Sequence, residues 1–334
     1  MRDYIIRRLI LMIPTLFLVT IIVFFSIRFI PGDIVDIMVA EMAQEAGAGG
    51  GGEIEMTARQ IRHLLGLDVD VHIQYGRWLG VWPHEDGTIH GAIQGDLGLT
   101  LWKRRPVTEE IFTRMPVSFE LGMLAMITAL LIAIPIGTYS AIRQDTRGDY
   151  IGRTIAILCI SLPSFWLGTM VIVYPSIWWG WMPAVEYIPF VKDPLGNLVQ
   201  FIIPGAILGM VLSGNTMRMT RTMMLEVLRQ DYIRTAWAKG LTERTVIMRH
   251  ALKNALIPVV TIVGLLLPIL IGGSVVLEQI FALPGVGWLL ITSLNQRDYP
   301  IISGINLVLA TFVLGLNLVI DLTYGWLDPR VQYR

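Results

Sequence analysis

The sequence predicts an all-α polytopic membrane protein, and its composition and its long apolar runs support this. The 334 residues are 54% hydrophobic and only 16% charged, whereas soluble domains average about 45–50% apolar and about 25% charged residues. Six runs approach the roughly 20 apolar residues that a helix needs to cross a bilayer. The 26 basic residues equal the 26 acidic ones, which argues against a nucleic-acid binder with a basic face.

The first run covers residues 9–30 and is predicted to span the membrane. Arg2, Arg7 and Arg8 precede it as in a signal peptide, but its 22 residues exceed the usual hydrophobic region of about 7–15. The third run contains Pro163 and Pro175, so we expect it to be tilted, kinked or partly interfacial. Its tryptophans, Trp178, Trp179 and Trp181, are typical of a membrane interface. The other runs are 121–142, 154–182 (the third), 199–217, 256–281 and 301–322.

The distribution of Lys and Arg predicts the orientation. With the N-terminus inside, the cytoplasmic pieces carry 16 basic residues, and the two short outside connections carry only Lys192 and Arg297. Basic residues in short loops favour the cytoplasm. Both termini are therefore expected to be cytoplasmic.

The runs divide the chain into three predicted parts. Residues 1–30 form the N-terminus and first span, 31–117 a small extracytoplasmic subdomain, and 118–334 the core with the remaining spans. The subdomain has thirteen acidic and seven basic residues, and its glycine run 49–52 indicates a flexible link. Ile61, Leu64 and Leu65 share one face of a predicted helix that Gly66 can end.

Most histidines and the one cysteine suggest no metal site or disulfide. The subdomain histidines are not spaced as zinc ligands, so they are interpreted as solvated loop residues: His63, His72, His84 and His90. Cys159 is the sole cysteine, which excludes an internal disulfide and a cysteine-based zinc cluster. It is interpreted as a small apolar packing residue.

A second long non-spanning segment lies at 218–255 on the cytoplasmic side. Its first half predicts a helix that Gly240 ends in a left-handed conformation. Thr242 can cap a second helix, and Pro258 is expected to open the next span. The apolar stripe of the first helix contains Met224, Leu225, Leu228, Tyr232, Ala236 and Trp237.

Two interpretations of this segment remain open from the residues alone. Its basic residues suit an amphipathic helix lying on anionic lipid. A helix–Gly–helix elbow also suits a groove on a cytoplasmic partner, with Ala236, Leu241 and Val246 as its apolar side.

The sequence RTAWAKGLTERTVIMRHALKNALIP in this segment resembles the EAA loop of bacterial ABC-importer permeases, in the form typical of the dipeptide and oligopeptide (DppB/OppB-type) family. The Glu-Ala-Ala-x-x-x-Gly core falls on Arg234, Thr235, Ala236 and Gly240. Arg and Thr replace the first two letters of the general motif, as is usual in the peptide branch. FIPGD, GLDVDVHIQYGRWLG, QGDLGLTLWKRRPVTEEI, LPGVGWLL and DPRVQYR extend the resemblance over nearly the whole chain.

The resemblance implies the six-helix type I ABC importer fold and one half of a translocation pathway for di- and oligopeptides. It also implies a location in the cytoplasmic (inner) membrane of a bacterium or an archaeon. Its implied partners are a homologous second permease subunit, two cytoplasmic ATPases and an extracytoplasmic substrate-binding protein, besides the lipid bilayer. ATP binding in the ATPases is expected to drive alternating access through the elbow. The residues expected to dock and couple are Asp231, Arg234, Thr235, Ala236, Lys239, Gly240, Leu241, Glu243, Arg244 and Arg249.

The chain itself is not expected to be an enzyme or to bind a cofactor or metal. It contains no G-x-x-x-x-G-K-[ST] motif, so ATP and Mg²⁺ are expected in the partner subunits. An intramembrane hydrolase would need catalytic partners that Ser161, Ser164, Ser213 and Ser274 lack. An ion-coupled carrier would need carboxylates inside the membrane. Glu120, Glu278 and Asp321 lie near predicted span ends and are interpreted as interfacial charges.

Small or polar positions in the fourth and fifth spans are the candidates for lining a pathway. Close helix packing is an equal explanation for such residues. The resemblance makes peptide the expected cargo, with nickel, glutathione or an oligosaccharide as alternatives within the same machinery. The candidate lining residues are Met210, Ser213, Asn215, Met217 and Ser274.

Overall fold

The computed structural model describes residues 2–28, 62, 68–184, 186–269 and 275–327. In these ranges the regular elements are helices, and the only β-type pairing is a bridge between Leu99 and Pro106. Five of the described helices are long and apolar enough to cross a membrane, or six if one bent pair counts as a span. The predicted all-α polytopic membrane fold is confirmed.

The described helices are numbered in chain order. Their bounds are α1 Arg2–Arg28, α2 Val71–Leu79, α3 Val107–Ile142, α4 Arg147–Ser161, α5 Ser164–Trp179, α6 Pro194–Leu228, α7 Asp231–Ala238, α8 Glu243–Thr245, α9 Lys253–Leu266, α10 Val275–Ile280, α11 Val286–Asn295 and α12 Tyr299–Leu327. A single 3₁₀ turn, Ala92–Gln94, lies between α2 and α3, and a π-helical segment, Val246–Leu252, joins α8 to α9. The glycine run, the helix predicted around Ile61–Leu65 and the C-terminal DPRVQYR lie outside the described residues.

The third predicted span is two helices rather than one kinked helix. Helices α4 and α5 meet at an angle of 91° across a break at residues 162–163. Proline disfavours a helical conformation at the residue before it, and Leu162, which precedes Pro163, is extended. Pro175, in contrast, lies inside α5. The Trp178, Trp179 and Trp181 side chains are exposed, as an interfacial position requires.

The prediction that Pro258 opens the fifth span is wrong. Pro258 lies inside α9, and the helical backbone continues from Glu243 through the π-helical segment to Leu266. A proline removes one backbone donor but can be accommodated inside a membrane helix, where neighbouring groups satisfy the freed carbonyl. The second helix of the elbow and the following span are therefore one continuous element.

The chain divides into two compact units. The first consists of Met1–Ile5, Arg114–Leu289 and Phe312–Arg334, and the second of Ile6–Thr113 and Leu290–Thr311. In the first unit, helices α3, α6 and α10 share an apolar core, against which α5 also packs. The core residues are Val117, Leu121, Ala125, Phe201, Ile207, Leu208, Leu277, Phe281 and Leu283.

The second unit is held by aromatic contacts and by one buried carboxylate. The Phe24 ring of α1 meets Tyr75 and Trp78 of α2 at centroid distances of 5.1 and 5.6 Å. The hydroxyls of Thr20 and Tyr75 are 2.8 Å apart and hydrogen-bonded. The backbone N–H of Leu101 donates to Asp298 Oδ2 at 3.0 Å, which ties the loop before α3 to the start of α12.

Candidate coupling site

The elbow is a short helix, a left-handed glycine and a second helix. Helix α7 ends at a Schellman motif in which Leu241 N–H donates to Ala236 O and Gly240 N–H donates to Trp237 O. Gly240 has φ +74°, a conformation that glycine adopts without the steric cost that other residues meet. Thr242 occupies the N-cap of α8. The positions predicted for Gly240 and Thr242 are confirmed.

The Thr242 side chain does not cap the helix as expected. Its hydroxyl lies 2.9 Å from the Thr245 hydroxyl and makes no hydrogen bond to the backbone of the first turn. The first predicted helix also differs from the prediction, because it breaks at residues 229–230 between α6 and α7. Tyr232 and Trp237, which were assigned to its apolar stripe, are exposed.

The apolar side of the elbow faces the rest of the first unit. Ala236 and Val246 are buried in one cluster with Met224 of α6 and Ala141 of α3. The prediction that Ala236 and Val246 offer an apolar surface to a partner is therefore wrong, because their burial already anchors the elbow. Leu241 is the exception at 36% exposed. The remaining buried members are Ile233, Ile247, Ala251, Leu252 and Ala255.

A hydrogen bond braces the two arms of the elbow against each other. Asn254 Nδ2 donates to the Tyr232 hydroxyl at 2.9 Å and to the His250 carbonyl oxygen at 2.9 Å. Tyr232 belongs to α7, and Asn254 lies in the first turn of α9. Both residues are exposed, so the brace lies on the outer surface of the elbow.

The outer face of the elbow is polar and basic, and it also exposes large side chains. The predicted docking residues exposed there are Asp231, Arg234, Thr235, Lys239, Gly240, Leu241, Glu243, Arg244 and Arg249. Asp231 and Arg234 form an exposed ion pair at 3.4 Å, a type that contributes little to stability. Trp237 and Met248 are 45% and 55% exposed, and sequence reasoning missed both as surface residues. Exposed aromatic and methionine side chains amid Arg are typical of protein interfaces.

The candidate pathway residues fall into different environments. Ser213 is buried and donates to the Met210 carbonyl oxygen at 2.7 Å. Met217 is buried with Ala133 and Ala156. Asn215 is exposed, and Met210 is partly buried. Ser274 lies outside the described residues. Among the described candidates, Asn215 is the polar residue that is exposed rather than buried within this chain.

Glu278 is not the interfacial charge that the sequence predicted. Its side chain is 0% exposed. Ser118 Oγ donates to Glu278 Oε1 at 2.7 Å, and the Trp288 backbone N–H donates to Oε2 at 2.9 Å. Glu120 is partly buried and accepts a hydrogen bond from Asn197 Nδ2 at 3.2 Å. The side chain of Asp321 lies outside the described part.

The subdomain histidines form a stacked pair rather than a metal-binding group. The His84 and His90 rings are parallel, with centroids 3.9 Å apart, and His90 Nδ1 lies 3.0 Å from Asp96 Oδ2. Within the described ranges, no group of three His, Cys, Asp or Glu side chains is arranged to hold a metal ion. His72 is exposed on α2, and His63 is outside the described residues.

Family models match almost the whole chain. The model of the binding-protein-dependent transport system inner membrane component matches residues 133–333. The model of the N-terminal part of such membrane components matches residues 1–122.

Curated relatives match the chain over its full length. The chain is 38% identical over 333 residues to a putative peptide transport system permease protein of Brucella abortus, and the match covers 100% of both chains. It is 38% identical to the dipeptide transport system permease protein DppB of Escherichia coli and 37% identical to the oligopeptide transport system permease protein AppB of Bacillus subtilis, again with 100% of each chain covered. The chain therefore belongs to the family of inner membrane components of binding-protein-dependent transport systems.

Proposed function

We propose that this chain is the permease subunit of an ATP-driven importer of di- and oligopeptides. It pairs with a homologous second permease, two cytoplasmic ATPases and an extracytoplasmic substrate-binding protein, and both its termini lie in the cytoplasm. The full-length similarity to relatives named as peptide permeases supports the substrate class. The cofactors ATP and Mg²⁺ belong to the partner subunits.

The observation that carries this proposal is the construction of the elbow. Its inner face is fixed by buried apolar residues on α7 and the π-helical segment, and its outer face is exposed and basic. An element anchored in this way moves together with the helices to which it is packed. Docking of an ATPase on the outer face would therefore displace α6 and α9, which continue into the membrane. This displacement would change the side of the membrane to which the translocation pathway is open.

The left-handed glycine offers the sharpest test of coupling. Gly240→Pro cannot reach φ +74°, because proline fixes φ near −65°. Asn tolerates the left-handed region, and no atom lies within 4 Å of a Cβ added at Gly240. In the complete complex reconstituted in liposomes, Gly240→Pro is expected to lose peptide uptake while the ATPases still hydrolyse ATP, and Gly240→Asn is expected to retain uptake.

Both variants are first compared for membrane insertion and co-purification of the partners. Uptake by Gly240→Pro that equals the wild type and stays stimulated by substrate would remove the elbow from the mechanism. Equal loss in both variants would mean that the exposed surface at this position, rather than its backbone conformation, is what matters.

A charge reversal tests the docking face directly. Arg244 is exposed on α8, so Arg244→Glu is expected to reduce the ATPase that co-purifies with the permease. Lys192→Glu is the matched control, because Lys192 is also exposed and lies on the predicted opposite side of the membrane. Wild-type recovery of ATPase with Arg244→Glu would contradict docking at this position.

The cargo is tested with the complete complex and its own binding protein. Radiolabelled dipeptide uptake is measured in competition with unlabelled peptide, nickel, glutathione and an oligosaccharide. Competition by peptides alone supports the proposal, whereas competition by one of the other solutes identifies a different cargo for the same machinery.

Glu278 is the observation that would favour an ion-coupled carrier. Transporters of that class place carboxylates within the membrane to carry protons or ions. Both oxygens of Glu278 are already hydrogen-bonded to Ser118 and to the backbone of Trp288, which supports a structural role. Uptake driven by a proton gradient in the absence of ATP would establish the carrier instead.

A further inference from the structure

A buried carboxylate joins three helices of the first unit near the elbow. Asp149, in the first turn of α4, is 0% exposed. Arg221 of α6 reaches it with two donors, from Nε to Oδ1 at 2.7 Å and from Nη2 to Oδ2 at 2.8 Å. Ser140, near the end of α3, donates its hydroxyl to Oδ1. Paired donors of this kind fix the relative orientation of the two side chains.

Two further residues donate hydrogen bonds to the same carboxylate from close along the chain. Arg153, one turn later in α4, donates from Nε to Oδ1 at 3.1 Å and from Nη2 to Oδ2, and its Nη2 also contacts Asp145 at 3.2 Å. The backbone N–H of Asp145 donates to Oδ2 at 3.0 Å. Asp149 therefore holds one cation across a helix boundary and another within its own helix.

The burial of Asp149 makes these contacts obligatory. Removing a charge from water is costly unless partners and hydrogen bonds compensate it, and breaking a buried pair leaves the remaining charge uncompensated. A motion that separated α6 from α4 would break both Arg221 contacts at once. We therefore expect the two helix ends to move as one body.

The position of Arg221 connects this site to the elbow. It precedes Met224 on α6 by three residues, or nearly one helical turn, and Met224 is fully buried among the residues beneath the elbow. On α3, Ser140 is followed directly by Ala141, which belongs to the same buried cluster. The carboxylate network and the anchoring cluster are thus adjacent on both helices.

We propose that Asp149 and Arg221 are positioning residues for transport coupling. Their ion pair passes a displacement of the elbow and α6 to the α3–α4 turn, so that these helices change position together when the ATPases close. This inference rests on the proposed function as a permease driven by cytoplasmic ATPases.

Arg153 supplies the matched control. It contacts the same carboxylate as Arg221, but from the same helix, four residues away. If the cations served only to neutralise a buried charge, Arg153→Gln and Arg221→Gln would have similar effects. If the contact across the helix boundary transmits motion, only Arg221→Gln uncouples transport.

The experiment measures peptide imported per ATP hydrolysed by the complete complex in liposomes. Arg221→Gln is expected to lower this ratio about tenfold, a size typical of coupling between two sites, with ATPase activity still present. Arg153→Gln is expected to leave the ratio near the wild-type value. Arg221→Lys keeps the charge without the two-pronged geometry and is expected to give an intermediate ratio.

Equal ratios for Arg221→Gln and Arg153→Gln, whether both low or both normal, would overturn the proposal. If Arg221→Gln does not co-purify with its partners, Arg221→Lys against Arg153→Lys gives the same comparison, and equal ratios there have the same meaning. Failure of the wild-type complex to import peptide with ATP would refute the proposed function instead, since that result does not depend on either arginine.

Discussion

At the scale of single residues, the turn after α10 is organised around Glu278. Ser118 Oγ donates a hydrogen bond to Glu278 and also accepts one from the backbone N–H of Val286 at 2.8 Å. A Cβ added to Gly285 would lie 2.5 Å from the Glu278 carboxyl group, closer than carbon and oxygen atoms can approach. The glycines of the LPGVG sequence are thus explained by the carboxylate that the turn encloses.

Loss of this carboxylate is expected to destabilise the first unit. Glu278→Ala leaves the Ser118 hydroxyl and the Trp288 N–H without their acceptor, and each buried group left unsatisfied costs about 1–3 kcal/mol. Glu278→Gln keeps an acceptor oxygen and should cost less. The measurement is the melting temperature of the solubilised protein, followed by tryptophan fluorescence.

Glu226→Ala is the control, because Glu226 is exposed on α6. A melting temperature that falls equally for Glu226→Ala and Glu278→Ala would show that the buried hydrogen bonds contribute nothing particular to stability.

Asp298 is expected to make the second unit less stable as the pH rises. Burial raises the pKa of Asp298 above its ordinary 3.8, although the hydrogen bond from Leu101 N–H opposes this. The folded state therefore holds a proton that the unfolded state has lost, so the free energy of unfolding falls between 3.8 and the raised pKa. Asp298→Asn, which does not titrate, should flatten this slope in melting temperatures recorded from about pH 4 to about pH 7.

The expected sign is the opposite of that for a carboxylate stabilised by a cation. A wild-type melting temperature that rises over this pH range relative to Asp298→Asn would therefore contradict the assignment. Asp86→Asn provides the comparison, because hydrogen bonds from Thr88 lower the pKa of Asp86.

At the scale of elements, sequence reasoning succeeded where one residue type determines the local backbone. Gly240 ends α7 because its left-handed conformation suits glycine, and Thr242 precedes α8 as a residue typical of N-caps. It failed where the outcome depended on packing. Pro258 lies within a helix rather than at its start. The third run was predicted to be tilted, kinked or partly interfacial, but the sequence does not show that the break falls before Pro163 and that Pro175 lies inside α5.

Burial at the site could not be predicted from the sequence for the same reason. Ala236 and Val246 are apolar, but their spacing does not reveal whether the apolar face meets a partner or the chain itself. Asp149 and Glu278 stand far along the chain from Arg221 and Ser118, and no local pattern links such partners.

The π-helical segment explains a change in the spacing of buried residues. Val246 and Ala251 are five residues apart, as are Ile247 and Leu252, whereas Ala251, Ala255 and Val259 follow at intervals of four. A π-helix has an i→i+5 hydrogen-bond pattern and accommodates an extra residue. The π-helical segment therefore keeps the members of each pair, Val246 with Ala251 and Ile247 with Leu252, on the same buried face. In a regular α-helix, residues five apart would point in different directions.

Deletion of Met248 tests this account of the segment. Met248 is exposed, and its removal would shorten both intervals to four residues and so suit a regular α-helix. The variant is expected to insert and to keep a melting temperature near the wild type. Deletion of the exposed Ile257 within α9 should instead rotate the flanking residues by about 100° and lower the melting temperature.

Met248→Ala controls for loss of the side chain without a change in length. Comparable destabilisation by the two deletions would mean that the π-helical geometry does not absorb one residue.

At the scale of the whole molecule, the zero net charge conceals an uneven distribution. The segment between Arg218 and Lys253 has eight basic and three acidic residues, whereas residues 31–117 have thirteen acidic and seven basic. Basic loops remain on the cytoplasmic side during insertion. The charges that predict the orientation also lie on the exposed face of the elbow, so the proposed orientation and the proposed docking depend on one feature.

The single cysteine makes this orientation directly testable. Cys159→Ser gives a cysteine-free chain, into which Lys192→Cys or Arg244→Cys is introduced at exposed positions. A membrane-impermeant maleimide added to spheroplasts is expected to label the cysteine at 192 at once and the one at 244 only after permeabilisation. The Cys159→Ser chain should remain unlabelled in both conditions. Labelling at 244 in sealed spheroplasts would show that the orientation is the opposite of the predicted one. Because Arg244 lies on the elbow, that result would also mean that a cytoplasmic ATPase cannot reach this surface.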